Sequence, residues 1–195
     1  MELTGKLIVL KAKRLEDAPK EFEWRCDPEL SKLDAAQPLK MNYQEFLRIY
    51  TNQLFYPSPW IQRLSIFTSN DVHIGNCMYY DIDSVKKEAE MGIMIGDRKY
   101  WSMGYGFDVM VTLIEHIFSS SSLRRLYLHT LDWNQRAKNC FGKCGMTHVK
   151  NVKRYGQNFS LMDITDKTWS QIRAEKLAFQ HALSVIPSTT KTLWD

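Results

Sequence analysis

The sequence predicts an α/β domain, in which strands and helices alternate along most of the chain. Three observations carry this prediction. Residues 64–68 and 72–80 have the apolar alternation of two strands, joined by a short polar segment that is typical of a hairpin. Residues 91–95 form a strand-like run that leads through a glycine-spaced loop into an amphipathic helix. Residues 146–153 and 159–164 form a second pair of strand-like segments.

The first third of the chain contributes one further strand and two helical stretches. Lys6–Lys13 alternates around Leu7 and Val9 and predicts a first strand. A helical stretch begins at Leu15, where two acidic residues suit a helix N-terminus. Asn42–Leu54 predicts a second helix, because Phe46, Ile49 and Tyr50 lie on one face. The prolines of residues 56–60 end it, and residues 81–87 form a polar turn before the next strand.

The second half begins with the helix that follows Gly106, whose apolar residues recur every three or four positions. Ser119–Ser122 is then expected to be a loop, and Leu126–Leu131 a strand. Asn134 is a good N-cap and Gly145 a good C′ residue, so a helix is predicted between them. A last helix follows Asp166 and is expected to dock on the domain or on a partner through its apolar stripe, which comprises Trp169, Ile172, Phe179 and Leu183.

Composition is that of one ordinary globular domain: 195 residues, 44% hydrophobic and 25% charged. We expect a domain at residues 1–166, followed by a helix and a polar, mobile tail at residues 167–195. No apolar run approaches the roughly 18 residues that a membrane span needs, and the N-terminal apolar stretch is too short for a signal peptide, so a cytoplasmic location is the default expectation. The four cysteines and five histidines lack metal-site spacing, so no metal is expected.

The glycine-spaced loop, Trp101-Ser-Met-Gly-Tyr-Gly106, indicates an anion site. Glycines just before a helix allow backbone N–H groups to approach a phosphate, and the helix dipole favours the negative charge. The formal net charge is +4, but no basic stripe with interleaved exposed aromatics is present, which argues against nucleic acid. The phosphates of a small cofactor are the better match.

The stretch IGDRKYWSMGYG closely resembles the acetyl-CoA-binding segment of the GNAT superfamily of N-acetyltransferases, whose loop reads (Gln/Arg)-x-x-Gly-x-(Gly/Ala). It is most similar to the branch of ribosomal-protein N-terminal and small-amine acetyltransferases. A second segment, NQRAKNCFGKCGM from Asn134, resembles the family's N-x-R-A-x-x-x-Y-E-K-x-G-F in register. Two residues depart from the pattern: Trp101 replaces Gln or Arg, and Phe141 replaces Tyr.

The resemblance implies the GNAT fold, with a mixed, mostly antiparallel splayed sheet flanked by helices, to which this chain adds a C-terminal helix. It implies acetyl-CoA as co-substrate, a primary amine as acceptor and direct attack in a ternary complex; homodimers are common in the family. The backbones of Met94 and Ile95 correspond to the strand that pairs with the pantetheine arm. The other residues assigned to the cofactor are Trp101, Ser102, Met103, Gly104, Tyr105, Gly106, Phe107, Asn134 and Phe141.

Glu90 lies fourteen residues before Gly104, the spacing at which histone acetyltransferases of this superfamily carry their general base. A carboxylate there is placed to take the amine's proton, directly or through water, although a solvated strand end explains it equally well. Glu88 is a nearby competitor. His129 precedes Asn134 on a strand that can face the same site, but a structural histidine is the more common outcome.

Phe141 cannot donate a proton, which leaves three alternatives open. The thiolate leaves unassisted, another donor such as Tyr105 or Tyr155 replaces the tyrosine, or the protein is a non-catalytic acyl-CoA-binding module. The acceptor is equally open among protein N-termini, polyamines and other small amines. Residues 15–34 contain seven acidic and three basic residues, which favours a cationic acceptor if this segment faces the cleft, and indicates only a solvated helix face if it does not.

Overall fold

The computed structural model describes residues 2–184, so the predicted tail at Pro187–Asp195 lies outside the described residues. Within that range the chain forms eight strands and six helices. In chain order these are β1 (Glu2–Thr4), β2 (Ile8–Ala12), α1 (Ala18–Cys26), α2 (Pro28–Leu33), α3 (Tyr43–Phe55), β3 (Ile61–Thr68), β4 (His73–Asp83), β5 (Glu88–Ile95), α4 (Tyr105–Ser120), β6 (Arg125–Leu131), α5 (Gln135–Lys143), β7 (Thr147–Arg154), β8 (Gln157–Thr165) and α6 (Asp166–His181).

The strands form one open sheet in the order β1-β2-β3-β4-β5-β6-β8-β7. Every neighbouring pair is antiparallel except β5 and β6, which run parallel. That parallel pair has three registered partners, and the last of them joins Glu90 to Tyr127. Beyond this point β5 and β6 separate. The mixed, mostly antiparallel splayed sheet predicted from the sequence is therefore confirmed, and the split lies at its centre.

The apolar core lies between the sheet and α4. Side chains of alternate strand residues, such as Leu10, Ile66 and Leu126, are completely buried there against the stripe of α4. The opposite face of the sheet carries α1, because Ser65, which alternates with the core residues of β3, donates its hydroxyl to Asp17 just before that helix (2.7 Å). The split therefore opens between two helical layers.

A buried carboxylate, that of Asp108, anchors the first turns of helix α4 in addition to its apolar packing. Asp108 accepts hydrogen bonds from the backbone N–H groups of residues 6–8, at 3.0, 2.6 and 3.1 Å, and from Gln180 Nε2 of α6 at 2.7 Å. The donors pull the pKa of Asp108 down, but burial is the larger effect and raises it above its usual value. This residue fixes the start of α4 against the β1–β2 turn.

The predicted C-terminal helix docks on the domain rather than extending from it. Trp169 donates its indole N–H to Glu115 of α4 at 2.8 Å, and Arg173 forms an ion pair with the same carboxylate. The ring of Phe179 meets that of Phe107 edge to face, with centroids 5.1 Å apart. Of the helices in residues 2–184, none is long and apolar enough to cross a membrane.

Most element boundaries agree with the sequence, and three predictions need correction. The expected loop at Ser119–Ser122 is partly helix, because the hydroxyls of Ser119 and Ser120 donate to the carbonyl of His116 and extend α4 to Ser120. The polar turn expected to begin at residue 81 starts later, since β4 continues to Asp83. Strand β1 was not predicted, because its three residues are too few for a periodic signal.

Candidate functional site

The glycine loop forms the start of α4 in the conformation that the sequence predicts. Gly104 is the N-cap residue and has a φ of 86°, a left-handed conformation that favours glycine. The N–H groups in the first turn of any helix lack an intrahelical partner. Here no side chain caps the helix either, so no capping side chain satisfies these donors. These donors, together with the helix dipole, give the turn after Gly104 the chemistry that suits an anion.

An open cavity lies beside this turn, with the C-terminal half of β5 on one side and α5 on the other. Of the residues assigned to the cofactor from sequence, nine line it: Met94, Ile95, Trp101, Ser102, Gly104, Gly106, Phe107, Asn134 and Phe141. Met103, Tyr105 and Glu90 do not. Nine lining residues were not singled out as binders: Leu30, Leu33, Asp34, Ile93, Tyr100, Arg136, Ala137, Cys140 and Lys143.

The backbone of β5 presents free polar groups to the split at alternate residues. Gly96 donates its N–H to the carbonyl of Ile74 on β4 at 2.9 Å. In this antiparallel register the intervening Ile93 and Ile95 therefore point their N–H and C=O groups away from β4, towards the split, whereas Met94 pairs with Asn76 of β4. The exposed edge belongs to Ile93 and Ile95, and Met94 contributes its side chain.

Trp101 closes the outer end of that edge. Its indole N–H donates to the carbonyl of Ile95 at 2.7 Å. The guanidinium of Arg136, on α5, lies 3.6 Å from the centre of the Trp101 ring, and that of Arg98 lies 5.6 Å from it. Burial lowers the pKa of Arg136, but a guanidinium remains protonated at neutral pH. A cation therefore stands above the position where the family pattern has Gln or Arg, and α5 supplies it.

Helix α5 forms the other wall. Asn134 accepts the N–H of Ala137 at 3.2 Å, which caps the helix while its side chain lines the cavity, so the two predicted roles are compatible in one geometry. Phe141 is buried and presents an apolar ring. The thiol of Cys140 lies against the glycine loop, and hydrogen bonding with Cys144 lowers the pKa of the Cys140 thiol, whereas burial raises that of Cys144.

Glu90 lies at the apex of the split, where β5 and β6 are last paired. Its side chain is 5% exposed, and its Oε1 is 2.8 Å from Nδ1 of His129 on β6 and 3.6 Å from Nη1 of Arg154 on β7. Burial, with the nearby Glu90 charge as the second cause, raises the pKa of Tyr80 above its usual range. His129, for which the sequence left a structural role and a place facing the site open, is hydrogen-bonded to Glu90.

One face of β5 connects the cavity with Glu90. Met94, Gly92 and Glu90 alternate along this face, about 7 Å apart. A side chain at Gly92 would meet only ordinary contacts with Met78 and Tyr80, the nearest at 3.5 Å, so no side chain stands between the cavity and Glu90 on this strand. Glu90 therefore lies on the same face of β5 as the cavity-lining Met94, with no side chain of this strand between them.

The other residues that the sequence suggested as a base or an acid do not line the cavity. Glu88 forms an ion pair with Arg125 at 2.8 Å, which also binds Asp163. Tyr105 does not line the cavity, and Tyr155 is 92% exposed in the β7–β8 turn. Within residues 2–184 no group of three or more His, Cys, Asp or Glu side chains is arranged to hold a metal.

The acidic segment at residues 15–34 is largely neutralised within the fold. Asp17 pairs with Arg14 and Glu21 with Lys13. The remaining pairs are Asp27 and Glu29 with Arg98, and Asp34 with Arg25. Although Leu30, Leu33 and Asp34 of this segment line the cavity, five of its seven acidic side chains are paired with cations within the fold, so the segment presents little unpaired negative charge to an acceptor.

Comparison with known proteins gives one family and several structural neighbours. A family model described as an acetyltransferase (GNAT) domain matches residues 7–147. Spermidine N-acetyltransferase from Vibrio cholerae, in complex with CoA and spermine, has a TM-score of 0.75 at 16% identity, over 84% of this chain and 98% of that chain. Aminoglycoside acetyltransferase AAC(6')-Ib, in complex with coenzyme A, has a TM-score of 0.72 at 15% identity, over 85% and 99%. No curated protein matches the chain by sequence.

Proposed function

Because the chain belongs to the GNAT acetyltransferase family, we propose that it transfers the acetyl group of acetyl-CoA to a primary amine by direct attack in a ternary complex. The observation that carries the proposal is the arrangement of three features around the split in the sheet. The uncapped start of α4 and the edge of β5 that is unpaired with β4 both line the cavity, and a carboxylate on the same strand lies at the apex of the split. They match the diphosphate, the pantetheine arm and the reacting amine of such a complex.

Each part of acetyl-CoA has a chemically suitable partner. The first-turn N–H groups after Gly104 receive the diphosphate, with Arg136 supplying positive charge beside them. The amides of the pantetheine arm pair with the N–H and C=O of Ile93 and with the N–H of Ile95, whose carbonyl already accepts the Trp101 indole N–H. Asn134 and Phe141 form the opposite wall near the thioester. Acetyl-CoA thus replaces the part of β6 that diverges from β5.

The reaction needs little covalent help from the protein. A primary amine attacks the thioester only when neutral, so it must lose a proton, and Glu90 with its partner His129 is the group placed at the apex to receive it. The departing thiol has an unperturbed pKa of about 8.5, so a thiolate leaves without a strong acid. Phe141 therefore slows the reaction rather than preventing it, since general acid catalysis contributes roughly 10²–10⁴-fold and least for such leaving groups.

A non-catalytic acyl-CoA-binding module is the second candidate, and Phe141 is the observation that favours it. The two candidates differ in one measurable property, the release of free CoA thiol that depends on an amine. The assay presents acetyl-CoA with a panel of protein N-terminal peptides, polyamines and aminoglycosides, with an amine-free reaction to measure hydrolysis. Release with at least one amine supports the enzyme. Binding of acetyl-CoA without release for any amine supports the module.

A further inference from the structure

The hydrogen bond between Glu90 and His129 joins β5 to β6 at the apex of the split. Glu90 is the last paired residue of β5, and His129 lies two residues beyond its partner Tyr127 on β6. The two side chains, 5% and 10% exposed, are joined by an Oε1–Nδ1 distance of 2.8 Å. A carboxylate so buried, held by a neighbouring ring, is poorly placed to meet an amine directly.

The contacts of His129 Nδ1 indicate which ring nitrogen carries the proton in the neutral imidazole. Nδ1 of His129 lies 2.8 Å from Glu90 Oε1 and 2.9 Å from Arg154 Nη1. A protonated Nδ1 donates to Glu90, whereas an unprotonated Nδ1 accepts from Arg154. The first arrangement gives Glu90 Oε1 a hydrogen bond of 2.8 Å from the ring, whereas Arg154 Nη1 is 3.6 Å from this oxygen. In the neutral ring Nε2 is then the nitrogen that accepts a proton.

Two charged side chains contact this ring at Nδ1: Glu90 of β5, and Arg154, the last residue of β7, which lies beyond β8 in the sheet. The edges of Tyr127, on the same strand, and Phe159, on β8, pack against the ring with centroids 5.9 and 6.4 Å away. Tyr80, on β4, faces Glu90. These aromatic rings fix the orientation of the imidazole and contribute no charge at neutral pH.

We propose that His129 is the catalytic base of the transfer and that Glu90 is its positioning residue. This proposal rests on the proposed function. The amine nitrogen forms a bond to the thioester carbonyl carbon, and its proton moves to Nε2 of His129. Collapse of the tetrahedral intermediate breaks the C–S bond, and the electron pair leaves with the CoA sulfur as a thiolate. The imidazolium then gives its proton to that thiolate, which restores the neutral ring.

The test compares pH profiles of kcat/KM for the parent, His129→Gln, Glu90→Gln and Arg154→Gln, using the best amine from the panel. His129→Gln should lower kcat/KM by about 10²–10⁴-fold and abolish its ascending limb. Glu90→Gln keeps an acceptor for Nδ1–H but removes a negative charge, so the limb should move to lower pH. Arg154→Gln removes a positive charge, so the limb should move to higher pH.

Two further measurements separate catalysis from structure. Acetyl-CoA affinity, measured by calorimetry, should be unchanged in His129→Gln, and His148→Gln, an exposed histidine of β7, should behave as the parent. Nitrogen-15 NMR of the imidazole should show the proton on Nδ1. A parent that turns over, with His129→Gln giving the same profile, overturns the assignment and leaves the proposed function intact. A neutral ring protonated on Nε2 also overturns it, whereas a parent inactive with every amine overturns both.

Discussion

Replacing Gly106 with valine would add three carbon atoms at the seat proposed for the cofactor diphosphate. The first of them, Cβ, would lie 3.3 Å from Sγ of Cys140, so that contact needs a shift of only a few tenths of an ångström. The two γ carbons would compete with a phosphate for the first turn of α4. Valine has a helix propensity no worse than glycine, so the fold should survive the change.

The magnitude follows from the hydrogen bonds that the side chain blocks. Hydrogen bonds to a charged group contribute about 1.5–3 kcal/mol each, so losing one weakens binding by roughly 10- to 150-fold. Isothermal titration of acetyl-CoA should therefore show a Kd at least about tenfold higher for Gly106→Val. Gly106→Ala, which adds only Cβ, should lie between parent and valine variant.

Two matched variants exclude other causes. Gly142→Ala places its Cβ in open space on α5 and should leave affinity unchanged while stabilising the helix by up to about 1 kcal/mol. Adding Cys140→Ala to Gly106→Val removes the contact with the sulfur but not the obstruction of the phosphate, so affinity should stay low. Unchanged affinity in a folded Gly106→Val protein, or recovery on adding Cys140→Ala, would refute the assignment of this turn to the diphosphate.

Three further predictions concern the acid, the buried carboxylate and a buried histidine. Phe141→Tyr should raise turnover modestly at unchanged acetyl-CoA affinity; a rapid parent that gains nothing would show that the thiolate needs no acid. Asp108→Ala leaves two buried N–H groups and one partly buried N–H group without their acceptor and should lower the free energy of unfolding, measured in urea, by at least about 2 kcal/mol, with Asp108→Asn losing less; equal losses would contradict this. Burial lowers the pKa of His73 from 6.5 to about 4, so the stability that the neutral ring contributes is complete above pH 6.5 and is lost as pH falls towards 4. His73→Phe should remove up to about 1.4 kcal/mol per pH unit of slope in that window, and an unaltered slope would exclude the effect.

Local signals explain why much of the fold could be predicted. Asn42 begins α3 because it accepts the N–H of Glu45 at 3.0 Å, while the Glu45 carboxylate accepts the N–H of Asn42 at 3.2 Å. Gly145, with a φ of 95°, follows the end of α5 because glycine readily adopts the left-handed conformation that is common just after a helix. Such caps, like the apolar stripe of α4, depend on residues a few positions apart and are visible in the sequence.

The unpredicted features depend on residues far apart in the chain. Asp108 meets backbone groups about a hundred residues away, and His129 meets Glu90 across 39. The sequence shows that His129 lies five residues before Asn134, the N-cap of α5. No sequence pattern predicts that its ring contacts Glu90 on β5. Similarly, the sequence shows Trp101 only as a departure from the family loop, whereas the stacking of Arg136 on its ring depends on a distant residue of α5.

The central claim, direct transfer to an amine, is tested most directly by following the acetyl group itself. The protein is incubated with the most active amine and with acetyl-CoA whose acetyl group is isotopically labelled. The masses of the amine and of the intact protein are then measured by mass spectrometry. We predict that the label appears on the amine in amounts equal to the CoA released, and that no label stays on the protein. Label retained on the protein, with Cys140 as the thiol beside the glycine loop, or label confined to acetyl-CoA and acetate, would contradict the account.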